Sequence, residues 1–196
     1  MKFLRYLNRK FLIRKKPLPR KKFSVLPSSD VASTSLDLGS GANPQNPYNA
    51  GRVFGVDIVD FGKKNVKTAD LVTSKIPFKD DSFDYITAYD FLEHIPRLVY
   101  LNNVRLSPFI ELMNEIHRVL KPGGLFLGVT PAFPNPEAFQ DPTHVNIISE
   151  ATINYFAGNL AHLGGIYGFK GNFEIVETYW EYDAPSHLVW ELRAIK

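Results

Sequence analysis

From Ser33 onward, short runs rich in β-branched and aromatic residues alternate with longer helical or loop segments, the pattern of a sheet flanked by helices. The runs that read as strands are Ser35 to Leu38, Val53 to Asp57, Val66 to Asp70, Phe83 to Ala88 and Leu125 to Val129. Two more, Phe173 to Trp180 and Leu188 to Ile195, are separated by Asp183, Ala184 and Pro185, a turn signal that makes them an antiparallel pair. Between the fourth and fifth strands, Pro108 to Leu120 places Phe109, Leu112, Met113, Ile116, Val119 and Leu120 on one helical face. Lys121-Pro122-Gly123-Gly124 then stops the helix and turns the chain back into the sheet. The pattern predicts an α/β fold, with residues 31–196 as its domain.

Charge divides the chain differently. Ten of the 23 Lys and Arg residues, and none of the 20 Asp and Glu residues, fall in the first 22 positions, so the rest of the chain is acidic. Residues 1–30 read as a basic N-terminal arm and linker, punctuated by Pro17, Pro19 and Pro27. Within it Phe3, Leu4, Leu7 and Phe11 recur at helical spacing. A cationic amphipathic helix over residues 1–22 on an anionic membrane surface or on nucleic acid is one reading. A solvated extension, or a helix docked on the domain, is the other. The arm's apolar pieces are too short and interrupted for a secretory signal. No stretch approaches the roughly 18 to 20 apolar residues of a membrane span. The expected location is cytoplasmic, peripheral to the inner face of the membrane if the arm binds lipid. The absence of cysteine excludes disulfides, thiolate zinc sites and a cysteine nucleophile.

Chemistry enters at Leu36-Asp37-Leu38-Gly39-Ser40-Gly41-Ala42-Asn43-Pro44, where two glycines just past a strand let a small molecule approach the backbone closely. A dinucleotide fingerprint would need a third glycine at position 44, which is Pro44, so nicotinamide binding is disfavoured. The next strand ends in Gly55-Val56-Asp57, whose carboxylate has the two adjacent acceptor oxygens that a pair of ribose hydroxyls requires. Further on come Ile76-Pro77-Phe78 to Ser82-Phe83-Asp84, then Leu92-Glu93-His94, then Arg118-Val119-Leu120-Lys121-Pro122-Gly123-Gly124.

In the order and spacing of these motifs, over about residues 34 to 135, the chain resembles the class I S-adenosylmethionine-dependent methyltransferases, in particular their small-molecule group. The resemblance implies a Rossmann-like three-layer sandwich around a mostly parallel seven-stranded sheet with an antiparallel C-terminal hairpin. It implies that Asp37, Gly39, Ser40 and Gly41 surround the methionine part of the cofactor S-adenosylmethionine. Asp57, followed by Ile58, would hold the ribose, Asp70 and Leu71 would border the adenine, and Tyr89 would lie near the methyl group. Two departures are visible: Asn43 stands where the family has a third glycine, and only ten residues, Pro44 and Pro47 among them, separate the loop from the second strand. The cradle is expected to be an irregular loop rather than a helix.

Methyl transfer to oxygen or nitrogen is a direct displacement, so the enzyme must align the partners and, for a hydroxyl, handle its proton. His144, in Asp141-Pro142-Thr143-His144 after the fifth strand, suits a general base. Asp90, Glu93 and His94 are a second candidate: on a helix their spacings of three and four put them on one face. That trio resembles the arrangement by which some methyltransferases of this class hold a divalent metal, with His144 as the fourth ligand; in members without metal, the same glutamate and histidine order the loop. His117 reads as structural, and His162 and His187 show no partner pattern. Phe133, Phe139, Tyr155, Phe156, Tyr167 and Phe169 form either a lid over an acceptor pocket or core packing.

The acceptor is narrowed by exclusion. The signature of nucleic-acid amino methyltransferases is missing at Ala88-Tyr89-Asp90-Phe91, and cytosine C5 chemistry needs a cysteine. The Asn-Pro-rich first loop and the 141–144 segment look similar to methyltransferases of bacterial surface-polysaccharide synthesis. The first expectation is therefore a small-molecule or glycan hydroxyl as acceptor, with nucleic acid a lesser partner. The rivals are an RNA-directed methyltransferase using the basic arm, and a cofactor-binding scaffold without activity.

Overall fold

The computed structural model describes residues 18–22, 31–158 and 161–196. The amphipathic stretch from Phe3 to Phe11 and most of the linker lie outside the described residues. In chain order the strands are β1 (Arg20–Lys21), β2 (Thr34–Leu38), β3 (Arg52–Asp57), β4 (Val66–Thr68) and β5 (Phe83–Tyr89), followed by a 3-10 turn at Leu92–His94. A small hairpin, β6 (Val99–Leu101) and β7 (Val104–Leu106), leads into helix α1 (Pro108–Val119) and the long strand β8 (Leu120–Pro131). After it come α2 (Glu137–Gln140), a 3-10 turn at Thr152–Tyr155, α3 (Ala161–Ile166), and the closing strands β9 (Phe173–Glu181) and β10 (His187–Ala194).

The main sheet has the order β1-β9-β10-β8-β5-β2-β3-β4. Strands β8, β5, β2, β3 and β4 run parallel to their neighbours, while β10 is antiparallel to both β8 and β9. This is the Rossmann-like sheet with its antiparallel C-terminal hairpin, at eight strands rather than the expected seven. The extra strand comes from the basic arm: Arg20 and Lys21 pair in parallel with Trp180 and Glu181, and Leu18 is buried in the core. All five residues of β2 are buried, as expected of a parallel strand at the centre of a sheet.

Helix α1 forms where its apolar period predicts. Pro108 opens the first turn, and Phe109, Leu112, Met113, Ile116 and Val119 are buried against the sheet. The helix ends at Val119 because Leu120 is already extended, as suits a chain two residues from Pro122. Gly123 then takes a positive φ of 76° to make the turn. The opposite face of the sheet carries a smaller cluster of Tyr48, Leu127, Tyr179 and Val189, flanked by Tyr85, Tyr89, Leu125 and Val129, all from strands except Tyr48. The loop after β2 is irregular, as its prolines and length imply, and it folds Tyr48 onto Tyr85, the rings stacked with centroids 4.4 Å apart. The Tyr48 hydroxyl donates to Glu191 Oε1 at 2.8 Å.

Two motifs of the sequence serve the amino-terminal edge of the parallel strands. Lys121 Nζ reaches both oxygens of Asp84, at 2.9 and 2.8 Å, and Asp84 Oδ2 also accepts from the backbone N–H and hydroxyl of Thr34. Arg118 binds Glu115 through Nε and Nη2, Asp80 through Nη1, and the carbonyls of Ile76 and Phe78. Glu115 in turn accepts from the Ile76 N–H. These motifs knit α1 to the loop before β5 and to the start of β8.

Candidate active site

The strand order reverses at β2, whose neighbours β3 and β5 lie on opposite sides; ligands in open α/β sheets bind at the carboxyl ends beside such a reversal. The register aligns Leu38 with Val56 and with Ala88, so the ends of β2, β3 and β5 lie side by side. Past Leu38 the chain turns with Gly39 at φ 68°, and the N–H groups of Gly39 and Ser40 donate to the Val56 carbonyl at 2.9 and 3.3 Å. A Cβ on Gly39 would meet Phe91 Cδ2 at 2.6 Å, so position and conformation both demand glycine. At Gly41 (φ 56°) no heavy atom of the described residues lies within 4 Å of where a Cβ would be.

Asp57 ends β3 beside this loop. Its Oδ2 accepts from the Gly41 N–H at 2.8 Å and its Oδ1 from the Val59 N–H at 2.9 Å. Asp37 is buried, accepting from the Thr87 hydroxyl at 2.7 Å and the Gln45 N–H at 2.8 Å. Burial without a cation pushes its carboxyl up to about 6, against the pull of those two hydrogen bonds. Asp70 builds the turn after β4, accepting from the Val72 N–H and the Thr73 hydroxyl, with Leu71 buried beside it and Ile58 exposed. Tyr89 ends β5 among the second-face aromatics, where burial raises its phenol well above the usual range.

The expected single helical face of Asp90, Glu93 and His94 does not form. Asp90 sits at φ 46°, outside the helical region, and the only helical piece there is the 3-10 turn Leu92–His94. The carboxylate of Asp90 instead meets His187 Nε2 at 2.8 Å, and this partner raises the imidazole's pKa. His187 showed no sequence signal because its place depends on the β10 register, which sets it opposite Pro131 at the carboxyl end of β8. Only that β8–β10 pairing could have revealed it.

Glu93, His94 and His144 do come together: one donor atom from each lies within 4.8 Å of the other two. Glu93 is 1% exposed. Its Oε2 accepts from the Thr130 hydroxyl at 2.8 Å, while its buried Oε1 has no hydrogen-bond partner among the described residues and lies 4.0 Å from His144 Nε2. Burial pushes this carboxyl up. The His94 and His144 rings meet edge to face, 4.9 Å apart. The 141–146 segment is pinned over the turn by the Asn146 N–H on the Glu93 carbonyl and the Asn146 amide on the Leu92 carbonyl. A cleft of about 230 Å³ opens here, lined by Asp90, Glu93, Gln140, His144 and His187 among others.

The aromatic series divides. Phe156 and Phe169 are buried and pack edge to face at 5.2 Å, whereas Phe133, Phe139, Tyr155 and Tyr167 are exposed. His117 is structural: its Nε2 faces the Ile195 carbonyl at 3.1 Å and its ring stands edge-on to Phe173.

The strand-end loop fits a ligand bearing ribose and amino-acid groups. The side of Gly41 is open, and the Asp57 carboxylate spends two of about four lone-pair positions on backbone donors, leaving two for paired hydroxyls. Sheet order, switch-point loop and acidic strand end together define a Rossmann-like sheet with a ligand site at its strand tips.

Residues 36–128 match the family described as a methyltransferase domain. Demethylmenaquinone methyltransferase of Listeria welshimeri is 31% identical over 113 residues, covering 54% of this chain and 43% of that protein. The enzyme of the same name from Geobacillus stearothermophilus is 27% identical over 136 residues, covering 63% and 51%. The chain thus spans about half the length of the curated relatives it matches. Among solved structures, 1,6-didemethyltoxoflavin-N1-methyltransferase of Burkholderia thailandensis, with bound 1,6-didemethyltoxoflavin and S-adenosylhomocysteine, aligns with a TM-score of 0.56 at 16% identity, over 84% of this chain and 72% of that one. A SAM-dependent methyltransferase from Archaeoglobus fulgidus aligns at 0.52 and 17%, over 83% and 86%. At these identities the structural matches establish the fold. The chain is thus similar to a methyltransferase domain over a little under half of its length, on a fold that it shares with S-adenosylmethionine-dependent methyltransferases of known structure.

Proposed function

We propose that the chain transfers a methyl group from S-adenosylmethionine to a hydroxyl of a small molecule or glycan held in the cleft beside Asp90. Bound S-adenosylmethionine supplies a methyl on a sulfonium, so the attacking oxygen displaces a neutral thioether and only that oxygen's proton is left for the protein to take. Gly39, Ser40 and Gly41 would receive the methionine part, with the buried carboxylate of Asp37 to balance its positive charge. Asp57 holds the ribose, with Ile58 beside it. Asp70 and Leu71 border the adenine, and Tyr89 closes the site from β5.

Asp90 is the proton acceptor in this reading. Its side chain is 65% exposed at the mouth of the cleft, where His187 holds Oδ1 and leaves Oδ2 to the acceptor. His144, which its sequence position offered as a base, is 10% exposed and lies deeper, with Nε2 turned toward Glu93. Glu93 and His144 therefore form the floor on which the acceptor is oriented. Among the described residues no helix is long and apolar enough to cross a membrane. The basic residues of the 1–22 segment suit an anionic lipid surface, which would bring a lipid-borne acceptor, such as a surface-polysaccharide precursor, to the cleft.

The observation that carries the proposal is the meeting of the glycine loop, Asp57 and the Asp90 cleft at one reversal of strand order. Incubation with radiolabelled S-adenosylmethionine and fractionated cell extract tests it: label should enter a small-molecule or glycan fraction. Label in RNA, lost on deletion of residues 1–22, would replace this reading with an RNA-directed one. Ordinary cofactor affinity with no labelled fraction would make the chain a scaffold.

A further inference from the structure

Three donor groups from two separate segments of the chain converge on the cleft floor in a way that the hydrogen bonds among the described residues do not explain. Glu93 comes from the turn after β5, His94 follows it, and His144 arrives from the segment after α2. An ionisable oxygen as buried as Glu93 Oε1 ordinarily finds a donor, and leaving one bare is costly. Among the described residues it is bare, and His144 Nε2 lies 4.0 Å away, too far for a hydrogen bond and well placed for both atoms to reach one ion.

The outer contacts point the same way. A carbonyl oxygen can only accept, so the 3.1 Å contact of His144 Nδ1 with the Glu137 carbonyl places the proton on Nδ1 and leaves the Nε2 lone pair free. His94 Nδ1 likewise faces the Thr143 carbonyl at 3.2 Å, with the Thr143 hydroxyl at 3.0 Å, so its free lone pair is also on Nε2. Thr143 is itself fixed by Asp141, which accepts from its N–H and hydroxyl at 2.7 Å each. Glu93 is held through its other oxygen by Thr130. Histidines whose second nitrogen is tied to a carbonyl, and a carboxylate whose second oxygen is tied to a hydroxyl, are the supports that metal ligands require.

We propose that Glu93, His94 and His144 bind one divalent transition-metal ion of the zinc class, as two imidazoles and a carboxylate. Asp90, included with them on sequence grounds, is outside the set, because its carboxylate belongs to His187. Three protein ligands leave at least one coordination position for an outside oxygen, the arrangement of a reactive rather than a purely structural site. Since Glu93 and His144 line the cleft, an acceptor oxygen there would be bound and acidified by the ion; this use, unlike the binding itself, rests on the methyl-transfer reading.

Cobalt(II) is the probe, added to the full-length, chelator-treated protein without S-adenosylmethionine, so failure of the site and failure of the methyl-transfer reading are separate results. One equivalent should bind and give visible d–d absorption, and of the five histidines two should show strongly shifted ring resonances. His144→Gln and Glu93→Gln should each weaken binding at least tenfold, and His162→Gln should leave it unchanged. Because a variant that misfolds would be uninformative, the wild-type resonance count stands as the independent readout. Absence of saturable binding, shifted signals from a different number of histidines, or affinity unchanged in both cleft variants would overturn the proposal.

Discussion

At the amino-terminal edge of the parallel strands Lys121 closes on Asp84, and Arg118 on Glu115 and Asp80, so each of these acids meets a cation. Among the described residues, at the carboxyl-terminal edge Asp37 and Asp57 accept hydrogen bonds from neutral backbone or hydroxyl donors, and Glu93 keeps an oxygen with no donor. One edge is finished by contacts within the chain. The other keeps acceptors and open space for something from outside, at a cost in stability.

The sharpest way to break this comparison is at the finished edge. Arg118→Met keeps most of the apolar stem but leaves the mostly buried Glu115 without its cation, which should cost about 3 kcal/mol of unfolding free energy. The urea midpoint would fall accordingly, while S-adenosylmethionine affinity measured well below that midpoint should be unchanged. A large loss of affinity with little loss of stability would mean that the two edges are not separable. Asp57→Ala makes the opposite test. Removing acceptors for two ribose hydroxyls should weaken cofactor binding by about 1.5 to 3 kcal/mol in calorimetry, roughly tenfold to a hundredfold. The same change should move the urea midpoint far less than Arg118→Met does.

The same division explains what could be read from the sequence. Strands, α1 and the glycine loop were legible because period and turn chemistry are local: Pro108 to Val119 carries its apolar face openly, and Pro44 and Pro47 declare an irregular loop. The motif residues Asp84, Arg118 and Lys121 were legible as a pattern, but the pattern belongs to the scaffold. The cleft was legible only in part. Glu93, His94 and His144 were found, although the helix expected to align Asp90 with them is a single 3-10 turn. His187 was missed because its partner lies 97 residues away and is met only through the antiparallel register of β10 on β8. The eighth strand was missed for a related reason: Arg20 and Lys21 carry no strand pattern and are ordered by the free edge of β9.

Asp37 gives a pH test of intermediate size. Its folded-state pKa of about 6 lies above the ordinary carboxyl value, so the folded chain holds this proton more tightly than the unfolded one. This group's contribution to stability is therefore full in acid, falls as pH rises from about 4 to about 6, and is level above that. Cofactor binding should run the other way, because the ligand's positive groups favour the ionised carboxylate. Between pH 7 and pH 5 the dissociation constant should rise about tenfold as one pKa unit is crossed on each side. In Asp37→Asn both slopes should flatten; an unchanged slope in affinity would move the pH dependence to another group.

The smallest expected effect separates the edges most directly, because its sign is reversed. Replacing a well-partnered side chain destabilises, as at Arg118, but a site kept for a ligand stores a cost that substitution can relieve. Glu93→Gln retains a carbonyl oxygen for the Thr130 hydroxyl and removes the need to bury a carboxylate whose Oε1 meets no donor. In chelator the variant should unfold at a higher urea concentration than the wild type, by about 0.5 to 1 kcal/mol. Added zinc should then stabilise the wild type by more than the variant, since only the wild type offers the anionic ligand, and the order of the two midpoints should invert as metal is raised. A variant less stable than the wild type in chelator would show that Glu93 holds the turn after β5 together, and would place it with the residues of the opposite edge.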